Sequence, residues 1–382
     1  MGKNRGTVAL CARRKKSGMS AQSHPTTGPS AIAIYARART VHLERFAHLD
    51  AELIFRARNY DFDEEIAGRV PHRQLGYVRT FLRLLRTPYR VVELNEPFQL
   101  NSWPGLLLDL LALRVSDALR RRHTVVTCYA IGNDDLCVNF AAYTHFPIAL
   151  SRRIVRSMMR LFVTQFDRIA FGIPVSEQIY RHLAGDRLER VSTKHFGALA
   201  PACHSHKLPF LREKQVLFLG ALEERKGFDS LLRAWPLVNV EGARLVILGK
   251  GEGTRRAEEF AANRHNVQFH EDPPNEEIHV WLARSSVVVL FSQRTPRWRE
   301  QVGLPILEGL SHGCTIVTST ETGIADRLLA EGHRVLPPES GAEGLAAAIS
   351  AALTSPVPVE RVLGSLPERD TRLIAGEWMF ET

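Results

Sequence analysis

The sequence predicts an α/β protein of two domains, each a parallel sheet covered by helices on both faces. Three observations predict it. From Ala31 onward, short apolar runs alternate with amphipathic stretches of helix length, the alternation that strands and crossover helices produce. The series pauses once, around Pro201 to Pro209, and then resumes with the same rhythm. The chain has 382 residues, enough for two domains that each bury a core.

Residues 1–30 carry Lys3, Arg5, Arg13, Arg14, Lys15 and Lys16, then Ser, Pro, Thr and Gly, without the apolar core of a secretory signal. They read as a disordered basic tail or an over-extended translation start, with patterned sequence beginning at Ala31. In the first domain, residues 31–205, the expected strands are Ile32 to Tyr35, Glu52 to Phe55, Tyr89 to Leu94, Thr124 to Tyr129 and Arg168 to Val175. Two basic amphipathic helices lie among them. Arg73 to Arg86 sets Leu75, Val78, Phe81, Leu82 and Leu85 on one side and Arg79, Arg83 and Arg86 on the other. Ser151 to Phe166 sets Ile154, Met158, Leu161 and Phe162 against Arg152, Arg153, Arg156 and Arg160. A helix with one buried and one solvated face explains both. Adhesion to an anionic membrane surface is the alternative, and it would suit an acceptor anchored to a lipid.

The domain boundary is expected near Ala200 to Lys207. The second domain, residues 206–365, then shows strands at Val216 to Leu219, Arg244 to Leu248, Val267 to Phe269, Val287 to Phe291, Thr315 to Thr318 and Val335 to Leu336. The segment 366–382 is expected to pack back on the first domain. No internal repeat of fixed period interrupts this order.

Composition excludes several classes. Hydrophobic residues are 45% and charged residues 24%, and no apolar run approaches the ~18 residues of a membrane span. The five cysteines, Cys11, Cys128, Cys137, Cys203 and Cys314, form no Cys-x-x-Cys pair and make an odd total, so spacing indicates neither a zinc site nor a disulfide framework. A reducing cytoplasm is the expected location, with a peripheral position at the inner face of the membrane if the basic helices adhere. A net charge of +9 asks for an anionic partner. Nucleic acid is not expected, because the arginines fall at helical spacing without an aromatic stacking platform.

The clearest functional signal is Glu300-Gln-Val-Gly-Leu-Pro-Ile-Leu-Glu308. Glycine and proline between the carboxylates bar one continuous helix, so Glu300 belongs on a loop and Glu308 about a turn into the next helix, both toward one cavity. The run Thr315-Ile316-Val317 after His312-Gly313 completes the loop, helix, turn and buried strand found at the C-terminal edge of a parallel sheet, where ligands bind. Two glutamates eight apart can also be a solvated helix face. The surrounding letters favour the site: the stretch from Glu300 to Val317 resembles the signature of nucleotide-sugar-dependent retaining glycosyltransferases of the GT-B fold (glycosyl transferases group 1, family 4-like).

That resemblance extends over about Val216 to Leu353 and implies two Rossmann-like domains whose parallel sheets face across a cleft. It implies that Glu308 hydrogen-bonds the donor ribose, that Glu300 lies on the sugar side, and that backbone amides of Val302, Gly303 and Leu304 face the diphosphate and hexose. Lys226, between the strand-end Gly220 and a helix that Asp229 would cap, matches the residue that neutralises the donor diphosphate. Gly249, in Gly249-Lys250-Gly251-Glu252-Gly253, matches the loop beside the donor nucleoside. His270 and Glu271 would lie near the base, with contacts made by backbone atoms. Ala221 departs from the family, which commonly has a phosphate-binding arginine there; Arg225 is the candidate substitute. The turn Thr320 to Asp326 also departs, keeping Gly323 and Asp326 where the family has two glycines and a glutamate.

The first domain resembles the family less, with Ala36-Arg37-Ala38-Arg39-Thr40 in place of a glycine-rich loop. Acceptor contacts are expected from Asn95, Glu96, Tyr129 and Asn133, whereas His42 and His145 are read as packing or surface residues and Asn133-Asp134-Asp135 as a polar loop. The expected activity is transfer of a hexose, with retention, from a nucleoside-diphosphate sugar to a glycan, lipid-linked or small hydroxylated acceptor. The family needs neither metal nor cofactor, and the sugar nucleotide is a co-substrate. A catalytically weak GT-B protein that binds nucleotide or glycan without turnover is the rival, and Ala221 and the reduced glycine loops are its arguments.

Overall fold

The computed structural model describes residues 30–59, 61–203 and 212–382. The tail expected over residues 1–30 falls, apart from Ser30, outside the described residues, as do Cys11 and part of the boundary stretch. The chain forms two compact units, Met1–Gly197 with Thr371–Thr382, and Ala198–Asp370.

Unit one holds strands β1 (Ala31–Ala38), β2 (Glu52–Arg58), β3 (His72–Gln74), β4 (Val91–Leu94), β5 (Val125–Ala130), β6 (Arg168–Phe171) and β7 (Ser192–His195). They make one sheet in the order β3-β2-β1-β4-β5-β6-β7. Neighbouring strands run parallel, with Ile34 of β1 opposite Ile54 of β2 and Leu94 of β4. Unit two holds β8 (Glu213–Leu219), β9 (Arg244–Leu248), β10 (Val267–His270), β11 (Ser285–Leu290), β12 (Thr315–Ser319) and β13 (Arg334–Leu336), in the order β10-β9-β8-β11-β12-β13. Both sheets are therefore doubly wound, reversing direction of growth once, between β1 and β4 and between β8 and β11. The central strands are continuous β-branched and aliphatic runs because helices cover both faces, as in Val287-Val288-Val289-Leu290, whose side chains are buried.

The C-terminal helix Thr371–Phe380 belongs to unit one and packs across β4, β5 and β6. Its anchor is Arg372. The guanidinium lies 2.5 Å from Glu93 Oε1 and 2.9 Å from Tyr35 Oη, and it stacks 4.0 Å from the centre of the Tyr129 ring. Tyr35 also donates to Glu93 at 2.9 Å. Glu93 sits on the central strand β4 and is buried, so Arg372 is what makes its charge tolerable there. Breaking a buried pair of this kind costs on the order of 3–5 kcal/mol.

Five local expectations are corrected. The strand expected over Arg168 to Val175 ends at Phe171, because Gly172-Ile173 turns the chain and Pro174, with no N–H to lose, opens the helix Pro174–Ala184. The helix expected from Arg73 begins at Tyr77, since His72–Gln74 pairs with β2 as an edge strand and Gly76 caps the helix. Its buried positions are Thr80 and Leu84, whereas Val78 is 72% exposed. The basic helix expected over Ser151 to Phe166 runs from Ile148 to Val163, opened by Pro147, and buries Val155, Met159 and Phe162. Asp229 does not cap its helix: Gly227 stands at the N-cap, and Asp229 lies inside, 2.6 Å from Arg256. Asp135, read as part of a polar loop, caps the helix Leu136–Thr144 through the amides of Cys137 and Val138.

Candidate nucleotide-sugar site in the second unit

Loops leave the C-terminal ends of β8 and β11 at the point where strand order reverses, the place where open α/β sheets bind ligands. Lys226 follows β8 and Glu300 follows β11. The structure brings them together: Lys226 Nζ lies 2.5 Å from Glu300 Oε2. Ser292, the second residue past β11, donates its hydroxyl to the same oxygen at 3.1 Å. Glu300 is buried, and Lys226 keeps less than a fifth of its side chain exposed.

The local sequence explains how the two loops hold this pair. After β8 the chain makes a 3-10 turn over Glu224–Lys226 and then Gly227, at φ +78°, enters the helix Phe228–Ala234. A Cβ on Gly227 would stand 2.1 Å from the Phe291 carbonyl oxygen, so only glycine lets the Lys226 turn press on the end of β11. Gln293 N–H closes the contact by donating to the Arg225 carbonyl at 2.8 Å. On the other side, Glu300 pairs with Thr322 in a short parallel bridge, and Gly323 N–H donates to Gln301 O at 2.8 Å. The turn that departs from the family pattern is thus what fixes the Glu300 backbone.

Trp298 packs against the loop that bears Lys226. Its ring lies 4.9 Å from Lys226 Nζ and 4.6 Å from the Arg225 guanidinium carbon, so both cations rest on one aromatic surface. Arg225 also pairs with Glu223 at 2.5 Å. Trp298 and Ser292 were not singled out in the sequence; the only signal was a tryptophan between two arginines in the loop that ends at Glu300.

Gly303 caps the helix Leu304–Ser311 at φ +87°, with Pro305 in the first turn. A Cβ there would meet Leu290 at 2.5 Å. Val302 is buried and its carbonyl accepts from Thr322 Oγ1 at 2.8 Å, whereas Leu304 is exposed. Pro305 has no N–H, and the Ile306 and Leu307 amides donate to the Gly303 carbonyl at 2.9 and 3.2 Å, which leaves the amides of Gly303 and Leu304 to meet an anion at the positive end of the helix dipole.

Glu308 lies in the second turn, half-buried, and its carboxylate has no hydrogen-bonding or charged partner among the described residues. Burial alone pushes its pKa up to about 7. A carboxylate so placed is ready to accept from hydroxyl donors of a ligand. Gly249 answers to a different constraint: at φ +150°, a Cβ would stand 1.9 Å from the Gly220 carbonyl oxygen, so this glycine lets the ends of β8 and β9 meet. Ala221 is half-buried and offers no side-chain polar group.

In unit one, Asn95 lines a recess with Ile34, Ala36 and Leu94 at the ends of β1 and β4, walled by Arg56 and Tyr77. Arg56 is held by Asp109 at 2.7 Å. Glu96 is buried and accepts from the amides of Ile131 and Gly132 at 2.9 and 3.2 Å; burial raises its pKa to about 7 against the pull of those amides. Tyr129 lies under Arg372, and Asn133 is buried. His42 accepts from the Arg39 amide at 3.3 Å and packs on Tyr35, and burial depresses its pKa. His145 is an exposed left-handed helix end.

The fold and this arrangement define a class. Two doubly wound parallel sheets are the GT-B architecture, and solved glycosyltransferases share it. The lipopolysaccharide outer core galactosyltransferase WaaB aligns with a TM-score of 0.61 at 13% identity, over 91% of this chain and 97% of that one. Anabaena HepE in complex with UDP-glucose aligns at 0.59 and 13%, over 92% and 95%. Residues 213–355 match the family model described as glycosyl transferases group 1, so the resemblance read from the sequence holds for that segment. A phosphatidyl-myo-inositol mannosyltransferase of Propionibacterium freudenreichii is 32% identical over 114 residues, which is 30% of this chain and 27% of that protein's length.

The raised pKa of Glu308 has a stability consequence. The folded state holds the Glu308 proton more tightly than the unfolded chain, so this contribution is fully present below about pH 4.5 and is lost as pH rises through about 7. Solvent reaching the half-buried side chain keeps the loss on the order of 1–3 kcal/mol. Urea unfolding of the ligand-free protein should show Glu308→Gln gaining stability over wild type by that amount between about pH 5 and about pH 8. Parallel pH profiles for the two proteins would contradict it.

Proposed function

We propose that this chain is a metal-independent retaining glycosyltransferase that moves a hexose from a nucleoside-diphosphate sugar to a glycan, lipid-linked or small hydroxylated acceptor. The observation that carries the proposal is the Lys226–Glu300 pair at the sheet reversal, with the helix that bears the unpartnered Glu308 beginning four residues after Glu300. Support comes from the family match over the same residues and from structural neighbours, one of them holding UDP-glucose.

In this mechanism the donor ribose hydroxyls donate to the two oxygens of ionised Glu308. The diphosphate faces the amides at Gly303 and Leu304 and draws the Lys226 ammonium from Glu300, which frees that carboxylate toward the hexose. Lys226 then neutralises the charge that grows on the leaving phosphate as the glycosidic bond breaks. A leaving-phosphate oxygen takes the acceptor's proton, so attack occurs on the face the nucleotide leaves and configuration is retained.

Ala221 favours a second reading, nucleotide binding with weak turnover, because Arg225 is engaged with Glu223 and Trp298. Release of nucleoside diphosphate from a panel of UDP-, GDP- and ADP-sugars separates the two. Turnover of at least one donor is expected, with kcat/KM falling roughly 10- to 100-fold in Glu308→Ala, the worth of hydrogen bonds to a charged group. Donor binding without turnover would favour the second reading, and unchanged turnover in Glu308→Ala would remove Glu308 from the site.

The same proposal seats the first unit on an anionic membrane. No helix among the described residues is long and apolar enough to cross one. The packed helices Tyr77–Arg86 and Trp103–Arg120 nonetheless expose Val78, Leu111 and Leu119 at 72%, 55% and 75%, beside exposed Arg79, Arg86 and Arg120. Apolar side chains ringed by arginines match an anionic headgroup layer. Wild type should sediment with phosphatidylglycerol vesicles and release in high salt, and Val78→Ser/Leu119→Ser should sediment several-fold less. Equal sedimentation of both proteins would refute this seat.

A further inference from the structure

Cys203, His279 and His312 are far apart in the chain and meet in the second unit. Their Sγ and ring nitrogens all lie within 4.8 Å of one another. Cys203 stands near the start of the unit, with its amide donating to the Ser311 carbonyl at 2.8 Å. His279 comes from the helix Asn275–Arg284, and His312 follows the helix that bears Glu308. Cys203 and His312 are buried, and His279 is half-buried.

The geometry fits a tetrahedral ion. His279 Nδ1 and His312 Nε2 are 3.2 Å apart. Two imidazole nitrogens at about 2.0–2.1 Å from a tetrahedral zinc stand ~3.3 Å apart. His312 Nδ1 lies 2.8 Å from the Glu308 carbonyl oxygen, to which it donates, and this leaves Nε2 as a lone pair. That carbonyl contact is the outer support that orients ligating histidines. A thiolate sulfur on the same ion would stand ~3.5 Å from each nitrogen, within the cluster's present span after a small side-chain movement.

We propose that Cys203 Sγ, His279 Nδ1 and His312 Nε2 bind one zinc ion, with water as fourth ligand. One thiolate and two neutral imidazoles suit zinc over harder cations. Binding releases the Cys203 thiol proton to solvent and moves the His279 ring proton to Nε2. The competing arrangement is a plain hydrogen bond between the two imidazoles, in which a proton occupies the place of the ion. Arg212, the neighbouring cation, is engaged by the Ser285 carbonyl at 2.7 Å, the His312 carbonyl and Cys314 Sγ at 3.3 Å, and the thiolate offsets part of the ion's charge. The ion would pin the start of the second unit to two of its helices. It sits at the C-terminal end of the Glu308 helix, about one turn (~6 Å) beyond Glu308, and none of its three ligands is a residue proposed to touch the donor.

The test is metal analysis of the full chain, expressed without a histidine tag in zinc-supplemented medium and desalted. Wild type should carry about one zinc per chain, and Cys203→Ser and His279→Gln should each lose most of it. His279 is half-buried, so its variant keeps the test sound if Cys203→Ser folds poorly. Cobalt replacing zinc should show a thiolate-to-metal charge-transfer band that Cys203→Ser abolishes. Zinc content equal in wild type and both variants, zinc well below one per chain, or cobalt without the thiolate band would each overturn the proposal.

Discussion

One ion pair organises the second unit: the ammonium of Lys226 against the carboxylate of Glu300, where the sheet reverses direction. Neither charge would be stable alone at that depth. An isolated charge removed from water loses more than an exposed salt bridge returns, so each needs the other and the Ser292 hydroxyl. The demand reaches into the backbone. Gly227 must be glycine to press the Lys226 turn onto Phe291, and Thr322 with Gly323 must clamp the chain at Glu300. Under the proposed function, a phosphate drawing Lys226 away would meet a site already shaped around the charge it replaces, which is how preorganisation lowers the cost of binding.

Much of this was legible in the chain, and for a physical reason. Buried parallel strands are continuous apolar runs, so Arg244 to Leu248 is readable to the residue. Edge strands are not: His72–Gln74 and Ser192–His195 are short and largely polar because one flank meets solvent, and nothing in their letters marks them as sheet. The helix at Tyr77 was misplaced for a related reason. Its exposed Val78 and Leu82 look like a core face, and only their position shows that they lack one. In the candidate site, the loop positions of Lys226 and Glu300 and the helical position of Glu308 were readable because glycine and proline fix where loops become helices. Trp298 and Ser292 were not, since their roles come from the fold of a loop with no periodicity. Cys203, His279 and His312 were invisible for the plainest reason: the letters that matter are far apart.

The first unit uses its polar residues to hold itself together. Glu96 joins the loops after β4 and β5, Asp135 caps a helix, His42 accepts from the Arg39 amide, and Arg372 returns from the far end of the chain to neutralise Glu93. Its composition therefore points to function less sharply than that of the second unit. Among the surfaces it leaves exposed is a pair of helices with leucine, valine and arginine toward solvent.

The central claim is that Lys226 recognises a diphosphate. Calorimetric titration of a nucleoside and of its diphosphate into wild type and Lys226→Met tests it most directly, because the comparison removes every contribution of the base and ribose. Wild type should prefer the diphosphate by at least ~10-fold and Lys226→Met should lose most of that preference while binding the nucleoside as before. An undiminished preference for the diphosphate in Lys226→Met would contradict the account.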